Sequence, residues 1–372
     1  MSSPFHRRTV PDYLLSSPLV ALLYPIHHAL LRLRGPPRLP PPGSRPIRVV
    51  CISDTHCLPF PGHVPIPDGD LLIHAGDLCN DGSLFEIQSA VDWLQSLPHP
   101  QKVVVCGNHD SYFDVRSRRE EDRELSSGST SAGNGFAAVS SSSASIRSLD
   151  DIDSHRVDWG DIHYLQHSSV TLSFPLSSSP STTDTTRSLT LYGAPQIPAI
   201  SPMGPEHAFV YNPHHNAWAG TVPPETDILI SHTPPFAHRD LSPIFSTGCP
   251  HLLAESWRVR PALHVCGHVH EAYGPEPVYW DFAQRAWERL CATRCSRARL
   301  PLASRLVSGT LRDLLDVHGW LDAVRVVVYG VLGVVWAKVW GGENAGCGWV
   351  VNAACMVGNS GRLGNPPVVI EL

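Results

Sequence analysis

The stretch Val49-Val50-Cys51-Ile52-Ser53-Asp54-Thr55-His56 decides the fold of this chain. Apolar residues from Val49 to Ile52 stop at a serine and pass directly into an aspartate and a histidine. So short an apolar run, ended by a polar residue, reads as a buried strand. The Asp-x-His that follows puts an oxygen and a nitrogen ligand at the carboxyl end of that strand, where open α/β sheets carry their sites. The pattern then recurs along the chain. Leu71 to Ala75 runs into Gly76-Asp77, and Val103 to Cys106 into Gly107-Asn108-His109-Asp110. Ile228 to Ile230 runs into Ser231-His232-Thr233, and Leu263 to Cys266 into Gly267-His268-Val269-His270. Five strand ends would therefore converge, each carrying O or N ligands. Two divalent cations need about that many protein groups, and the mixture of carboxylate, amide and imidazole suits hard or borderline ions better than thiolate would.

In this order the blocks D-x-H, G-D, G-N-H-D, a lone His and G-H-x-H resemble those of the calcineurin-like metallophosphoesterase superfamily. The likeness runs from Arg48 to about Gly274 and resumes near the C-terminus. Within the superfamily the chain is most similar to the metallophosphoesterase-domain-containing branch, its fungal-type members above all. His74 to Asn80, Trp93-Leu94 through Asp110, Ser231 to Asp240 and Gly248 to Gly274 carry this likeness, with Val351-Asn352-Ala353-Ala354 and Asn365-Pro366-Pro367-Val368-Val369 in the tail. The resemblance implies a four-layer α/β-β/α sandwich. Two mixed sheets would lie face to face with helices outside and a dimetal site at the carboxyl ends of the strands.

The resemblance also implies roles. Asp54, His56, Asp77 and His270 would hold one metal; Asp77 would be shared, with Asn108, His232 and His268 completing the second. Mn2+ is the favoured ion, with Fe2+, Mg2+ and Zn2+ also in range. A hydroxide between the metals would attack phosphorus. His109 would serve the leaving oxygen as acid or hydrogen-bond donor, work for which imidazole is suited near neutral pH. Asp110 is expected to brace its loop, and His74 and His264, inside strand-like runs, to be structural. His238, Arg239, Tyr192 to Pro195 and Phe209 to Asn212 are candidates for the cleft wall.

The implied function is metal-dependent hydrolysis of a phosphoester, a phosphodiester in the first place, with cyclic nucleotides among the substrates. Two rivals stay open. A phosphomonoesterase of the protein serine/threonine phosphatase type typically sets an Arg close after the Gly-Asp and Asn-His blocks. Here Gly76 to Gly82 contains none, and the nearest after His109 is Arg116. A membrane-associated scaffold with a vestigial metal site is the other rival; a ligand set without a gap argues against it.

Composition adds exclusions. The net charge of −6 offers no electrostatic footprint for stable nucleic-acid binding. Ten cysteines follow no regular framework, and Cys51, Cys79, Cys106 and Cys266 fall in or beside strand-like runs, which points to reduced thiols and a cytoplasmic setting. Cys57 lies beside the D-x-H block but is not needed as a ligand. Cys291 and Cys295 lack a second pair for a zinc site.

The 372 residues divide into an apolar and Pro-rich extension, 1–46, and a metallophosphoesterase domain, 47–372, with insertions at about 117–155, 177–188 and 278–348. Leu14 to Leu31 is uncharged and largely apolar, interrupted by Pro18 and Pro25. It reads as an amphipathic or core-docking helix, as a membrane-surface or spanning anchor, or as a secretion signal, although Arg- and Pro-rich sequence follows in place of a cleavage site. Leu84 to Leu97 has helical apolar spacing between two strands, as a crossover requires. The Ser-rich tract in 117–155 is expected to be disordered. In 278–348, the apolar centre Val326 to Ala337 lies between Arg325 and Lys338. It reads as a helix packed on the core or on the N-terminal run, or as part of a shared membrane-facing patch.

Overall fold

In the computed structural model the deciding stretch forms strand β1 (Arg48–Ile52), flanked on both sides in a five-stranded sheet. The structure describes residues 17–37, 45–58, 60, 65–120, 122, 156–175, 186–199, 208–242, 246–295, 310–340 and 346–372. The other strands of this first sheet are β2 (Leu71–Ala75), β3 (Gln101–Val105), β4 (Ile162–Tyr164) and β13 (Val368–Glu371). Their order is β13-β1-β2-β3-β4, with β13 antiparallel to β1 and the rest parallel. The second sheet contains β5 (Ser168–Pro175), β6 (Thr186–Ala194), β9 (Ile228–Ser231), β10 (Leu263–Cys266), β11 (Gly274–Tyr279) and β12 (Cys347–Asn352). Its order is β11-β12-β10-β9-β6-β5, parallel at the centre and antiparallel at both edges. Two short strands, β7 (Ile197–Pro198) and β8 (Val210–Tyr211), pair beside them.

Alternation along the strands makes the layers. Val49, Cys51, Ile73 and Val103 of the first sheet share one apolar cluster with Leu191, Ile230, Val265 and Val351 of the second, so the sheets pack face to face. Val50, Ile52, Leu72 and Val104 point the other way, onto helix α2 (Leu84–Gln95) through Ile87, Val91 and Leu94. Both faces of β1 to β3 are therefore dry, which is why their sequences are continuous apolar runs. Ser83 caps α2 by accepting the Glu86 amide at 3.3 Å, and the helix stops before Pro98, whose ring disfavours α geometry in the residue before it. Helix α3 (Pro250–Val259) covers the outer face of the second sheet, where Leu252 meets Tyr192 and Leu229. The result is the expected four-layer α/β sandwich of two mixed sheets.

Three more helices form a separate bundle. They are α1 (Pro18–Arg34), α4 (Phe282–Cys295) and α5 (Val317–Val339), joined through Leu19, Val20, Leu23, Trp287, Leu290, Ala323 and Val326. The N-terminal apolar run and the apolar run of 278–348 thus pack together. Leu30 closes over Gly330 and the Arg34 guanidinium over Gly333. α1 is tied at both ends, with the Asp313 carboxylate accepting from Ser17 and Leu19 and Asp281 pairing with Arg34.

Two expected boundaries move. Val278 and Tyr279 belong to β11, whose register against Gly348 and Cys347 of β12 is continuous with the core sheet, so the intervening segment is narrower than 278–348. Thr186 to Ser188 belong to β6, where Ser188 bonds Ser173 across the hairpin at 3.1 Å. The Ser-rich expectations for 123–155 and 177–185, and Leu14 to Ser16, fall outside the described residues.

Candidate metal centre

Where β1, β2, β3, β9 and β10 end, the chain turns sharply and the turns bond to one another. The Asp54 amide donates to the Gly76 carbonyl (2.9 Å), His56 to Asp77 (3.1 Å) and Gly267 to His232 (2.9 Å). Asp54, His56, Asp77 and His268 adopt left-handed backbone, with φ of 54°, 48°, 54° and 65°. Non-glycine residues reach that region at a cost, and its concentration at one site is characteristic of positioned functional groups. The glycines of the blocks are there for space. A Cβ on Gly76 would run into His232, one on Gly107 into the Asp77 carboxylate, and one on Gly267 into Ser53 and the Asp54 carboxylate.

The ligand atoms form three overlapping groups, each within 4.8 Å: Asp54, His56 and His270; His56, Asp77 and His109; Asp77, His232 and His268. Asp77 belongs to two of them. One of its oxygens lies 3.3 Å from His232 Nε2 and 3.7 Å from His56 Nε2. Asn108 Oδ1 lies 3.0 Å from the same His232 nitrogen. His270 Nε2 is 3.2 Å from Asp54 Oδ1. All seven residues expected as ligands thus stand together, with His109 at their edge.

Backbone carbonyls orient the imidazoles. Nδ1 of His232 donates to Ala75 (2.9 Å), Nδ1 of His270 to Gly358 (2.7 Å) and Nδ1 of His109 to Asn80 (2.7 Å). In the neutral ring each Nε2 then carries a lone pair aimed into the site, the tautomer that metal-binding histidines need. His56 Nε2 is buried with no hydrogen-bond partner. Oxygen and nitrogen lone pairs that face one another in a buried site require a cation or a proton between them, and this donor set fits divalent cations. Without a metal, protons take the place. Burial opposes charge on His232 and His270, yet the charge of Asp77 and the hydrogen bond that His270 donates to Asp54 hold them up to about 9. Burial works against Asp54 as well, but His270 holds its carboxyl down at about 2. Burial leaves His268 neutral, pushed down to about 3.

Surrounding groups brace the ligands. The Asp110 carboxylate accepts amides from Gly107 (2.7 Å), Leu78 (3.3 Å) and Cys79 (3.2 Å), knitting two ligand loops together. His74 bonds Thr55 at 3.0 Å and His264 bonds Ser231 at 2.8 Å, one buried neutral imidazole in each sheet. Asn352 and Asn80 carry no signal in the ligand pattern. Asn352 donates to the carbonyls of Arg239, Gly267 and Val269, and Asn80 donates to His56 while receiving His109. Both are reached only through the resemblance, Asn352 in the tail and Asn80 at the end of the His74 to Asn80 stretch.

The expected cleft wall is partly different. His238 does not face the cleft. It lies buried between Glu276 (2.9 Å) and Glu288 (3.0 Å), whose charges outweigh its burial and hold it up to about 10. Tyr192 and Ala194 are buried beneath α3 rather than exposed on a wall. Ala208 and Phe209 do adjoin the site, bonding Asn108 and Asp114. Arg239 lines a cavity of about 520 Å³ with Glu271, the neighbour of His270. Cys57 is outside the three ligand groups, its thiol pushed up by burial to about 11.

Residues 47–272 match the family model described as calcineurin-like phosphoesterase. The chain belongs to the calcineurin-like phosphoesterase family. It is 33% identical over 242 residues to metallophosphoesterase domain-containing protein 1 of Homo sapiens, covering 63% of each chain. To a UPF0046 protein of Caenorhabditis elegans it is 31% identical over 235 residues, 63% of this chain and 67% of that one. It is also 32% identical over 246 residues to a protein of Emericella nidulans named "Probable rhamnogalacturonate lyase C", covering 66% of this chain but 19% of that one. The chain therefore spans about a fifth of one of these relatives and about two thirds of the other two. The calcineurin-like phosphoesterase match ends two residues beyond His270, whereas β12 and β13, which complete both sheets, come from 347–371.

Proposed function

We propose that this chain is a metal-dependent phosphoester hydrolase with phosphodiesters as its preferred substrates. The carrying observation is Asp77, which stands in two overlapping ligand groups, one with His56 and His109 and one with His232 and His268. Asp54, His56, Asp77 and His270 would hold one divalent cation and Asp77, Asn108, His232 and His268 the other. Such a pair, Mn2+ by preference, supplies charge to neutralise phosphoryl oxygens and acidifies the attacking water.

The chain's own groups do the rest. Asp77 places one carboxylate between the two sets. His109 is fixed twice, its amide donating to Asp77 Oδ1 (2.9 Å) and its Nδ1 to Asn80. Its Nε2 then lies at the partly exposed edge of the site, where in the imidazolium form it holds a proton for a departing oxygen.

A diester rather than a monoester reading is supported by the arginines. Arg116 is folded back on Asp114, with its guanidinium 3.0 Å from that carboxylate, and Arg239 is engaged by the backbone carbonyl of Tyr273 at 3.3 Å. Neither is poised to clamp a phosphate dianion. Cyclic nucleotides fall within the diester class. Eight of the ten cysteines are buried, which accords with reduced thiols and a cytoplasmic setting.

The test compares a chromogenic phosphodiester with its monoester on Mn2+-loaded protein, with Asp77→Asn as control. Diester cleavage abolished by the substitution supports the proposal. Monoester preference replaces it with a phosphatase, and inactivity on both substrates despite two bound metals overturns it in favour of a non-catalytic role.

A further inference from the structure

The surface of α5 is arranged the wrong way round for water. The side turned to the bundle carries Gly319, Asp322, Ala323, Val326 and Gly330, all buried. The outward side carries Val317, Leu321, Val324, Val328, Leu332 and Trp336, all exposed. Their spacing by three and four makes one continuous stripe. A helix on a soluble protein shows the opposite pattern, apolar inward and polar outward. Small residues against the neighbouring helix and large apolar ones outward are the pattern of helices that pack in lipid. The closures of Leu30 over Gly330 and of Arg34 over Gly333 belong to it. Leu22, Ile26 and Leu33 expose further apolar surface on α1, and Leu311, Leu314 and Leu315 do so just before α5.

Charge decides between lipid and a second copy of the chain. The carboxylates of Asp313, Asp316 and Asp322 all turn to arginines, the first two to Arg294 and the third to Arg289 and Arg325. Among the described residues of 17–34 and 310–340, the exposed charged side chains are Arg32, Arg312, Arg325 and Lys338, all basic. A symmetric pairing of two such faces would bring like charges together. An anionic headgroup layer would meet them with opposite charge. Trp336 and Trp340, 6.4 Å apart on either side of Lys338, are the aromatic residues that favour the bilayer interface.

Among the described residues α5 is the one helix long and apolar enough to cross a membrane. It is nevertheless fastened to α4, by Asp322 to Arg289 (2.7 Å) on the inner face and by the exposed Tyr329 against Phe282 (5.3 Å) at its flank. A helix held broadside against the domain can lie in a bilayer surface but cannot span it. We propose that α5, with α1 and residues 310–315, is a docking face for the surface of an anionic membrane. This stands independently of the reaction at the metal centre.

The experiment is flotation of the full chain with vesicles of phosphatidylcholine, with and without phosphatidylserine, beside Val324→Glu/Val328→Glu/Leu332→Glu. The wild type is expected to float with the anionic vesicles and the variant to lose roughly tenfold or more of that binding. The variant should keep its melting temperature and its metal content. Absence of flotation, or flotation that the variant retains, overturns the proposal. So does wild-type protein that resists alkaline extraction as a spanning helix would, or a dimer that the variant dissolves while neither protein floats. Should the variant not fold, quenching of wild-type tryptophan emission by brominated lipid, lost in Trp336→Phe/Trp340→Phe, tests the same face; no quenching overturns it.

Discussion

His232 donates its Nδ1 proton to the carbonyl of Ala75, 2.9 Å away and 157 positions earlier in the chain. One residue directly follows β9 in the second sheet, and the other ends β2 in the first. The bond therefore joins the sheets at the rim and aims the other ring nitrogen at Asp77 and Asn108. The seven ligands come from loops at the ends of five strands, so the site depends on how closely backbones approach.

Gly107 tests that dependence. Its place holds no room for a side chain, since a Cβ would overlap the Asp77 carboxylate and amide. Gly107→Ala is expected to leave secondary structure intact while weakening metal binding about 10- to 100-fold, the usual effect of disturbing the support of a metal ligand. Metal content after dialysis, measured by atomic emission, checks it. Unchanged stoichiometry and affinity would show that the loop yields without moving Asp77.

His109 separates chemistry from binding. His109→Ala should retain both metals and lose about 10²- to 10⁴-fold in kcat, the range for removing a general acid. The loss should be larger for a substrate with a basic alkoxide leaving group than for a nitrophenolate, which departs without a proton. Equal losses on both would remove His109 from the leaving-group side.

His238 makes a prediction about pH. Its folded value, about 10, lies above the ordinary 6.5, so its pairing stabilises fully below pH 6.5 and is lost as pH rises through 10. Glu276 sits oppositely, down at about 2 despite burial because of His238, so its contribution is present above pH 4.5 and fades as pH falls toward 2. Melting of metal-loaded protein should therefore decline from pH 7 to 10. His238→Gln should cost roughly 3–5 kcal/mol by removing the cation shared by two buried carboxylates, and should flatten the alkaline decline. Metal loading matters because the ligands His232 and His270 would otherwise add a slope of the same sign.

Much of this was legible in the residues themselves. The runs ending at Ser53, Gly76, Gly107, Ser231 and Gly267 mark strands because burial on both faces removes polar alternation. The ligands stand out because O and N donors close the same runs. Face-to-face packing came from resemblance alone, since no local pattern tells which sheet a strand joins. His238 was misplaced for a related reason. Its partners Glu276 and Glu288 lie 38 and 50 positions away, and proximity to the His232 loop says nothing of them. Asn352 stayed silent because its role lies in three backbone carbonyls, which every residue has.

The completing strands also set an order of assembly. β12 and β13 follow every ligand in the chain, yet Cys355 donates to the Ser53 carbonyl (2.8 Å) and Ala353 to Cys266 (2.8 Å), beside the first and last ligand blocks. A nascent chain that has released His270 from the ribosome still lacks residues 353–355, which bond beside both ends of its ligand set. Synthesis of α4 and α5 falls in that interval. The order of translation therefore completes the surroundings of the ligand blocks only after α4 and α5, with the apolar outer face of α5, have been made.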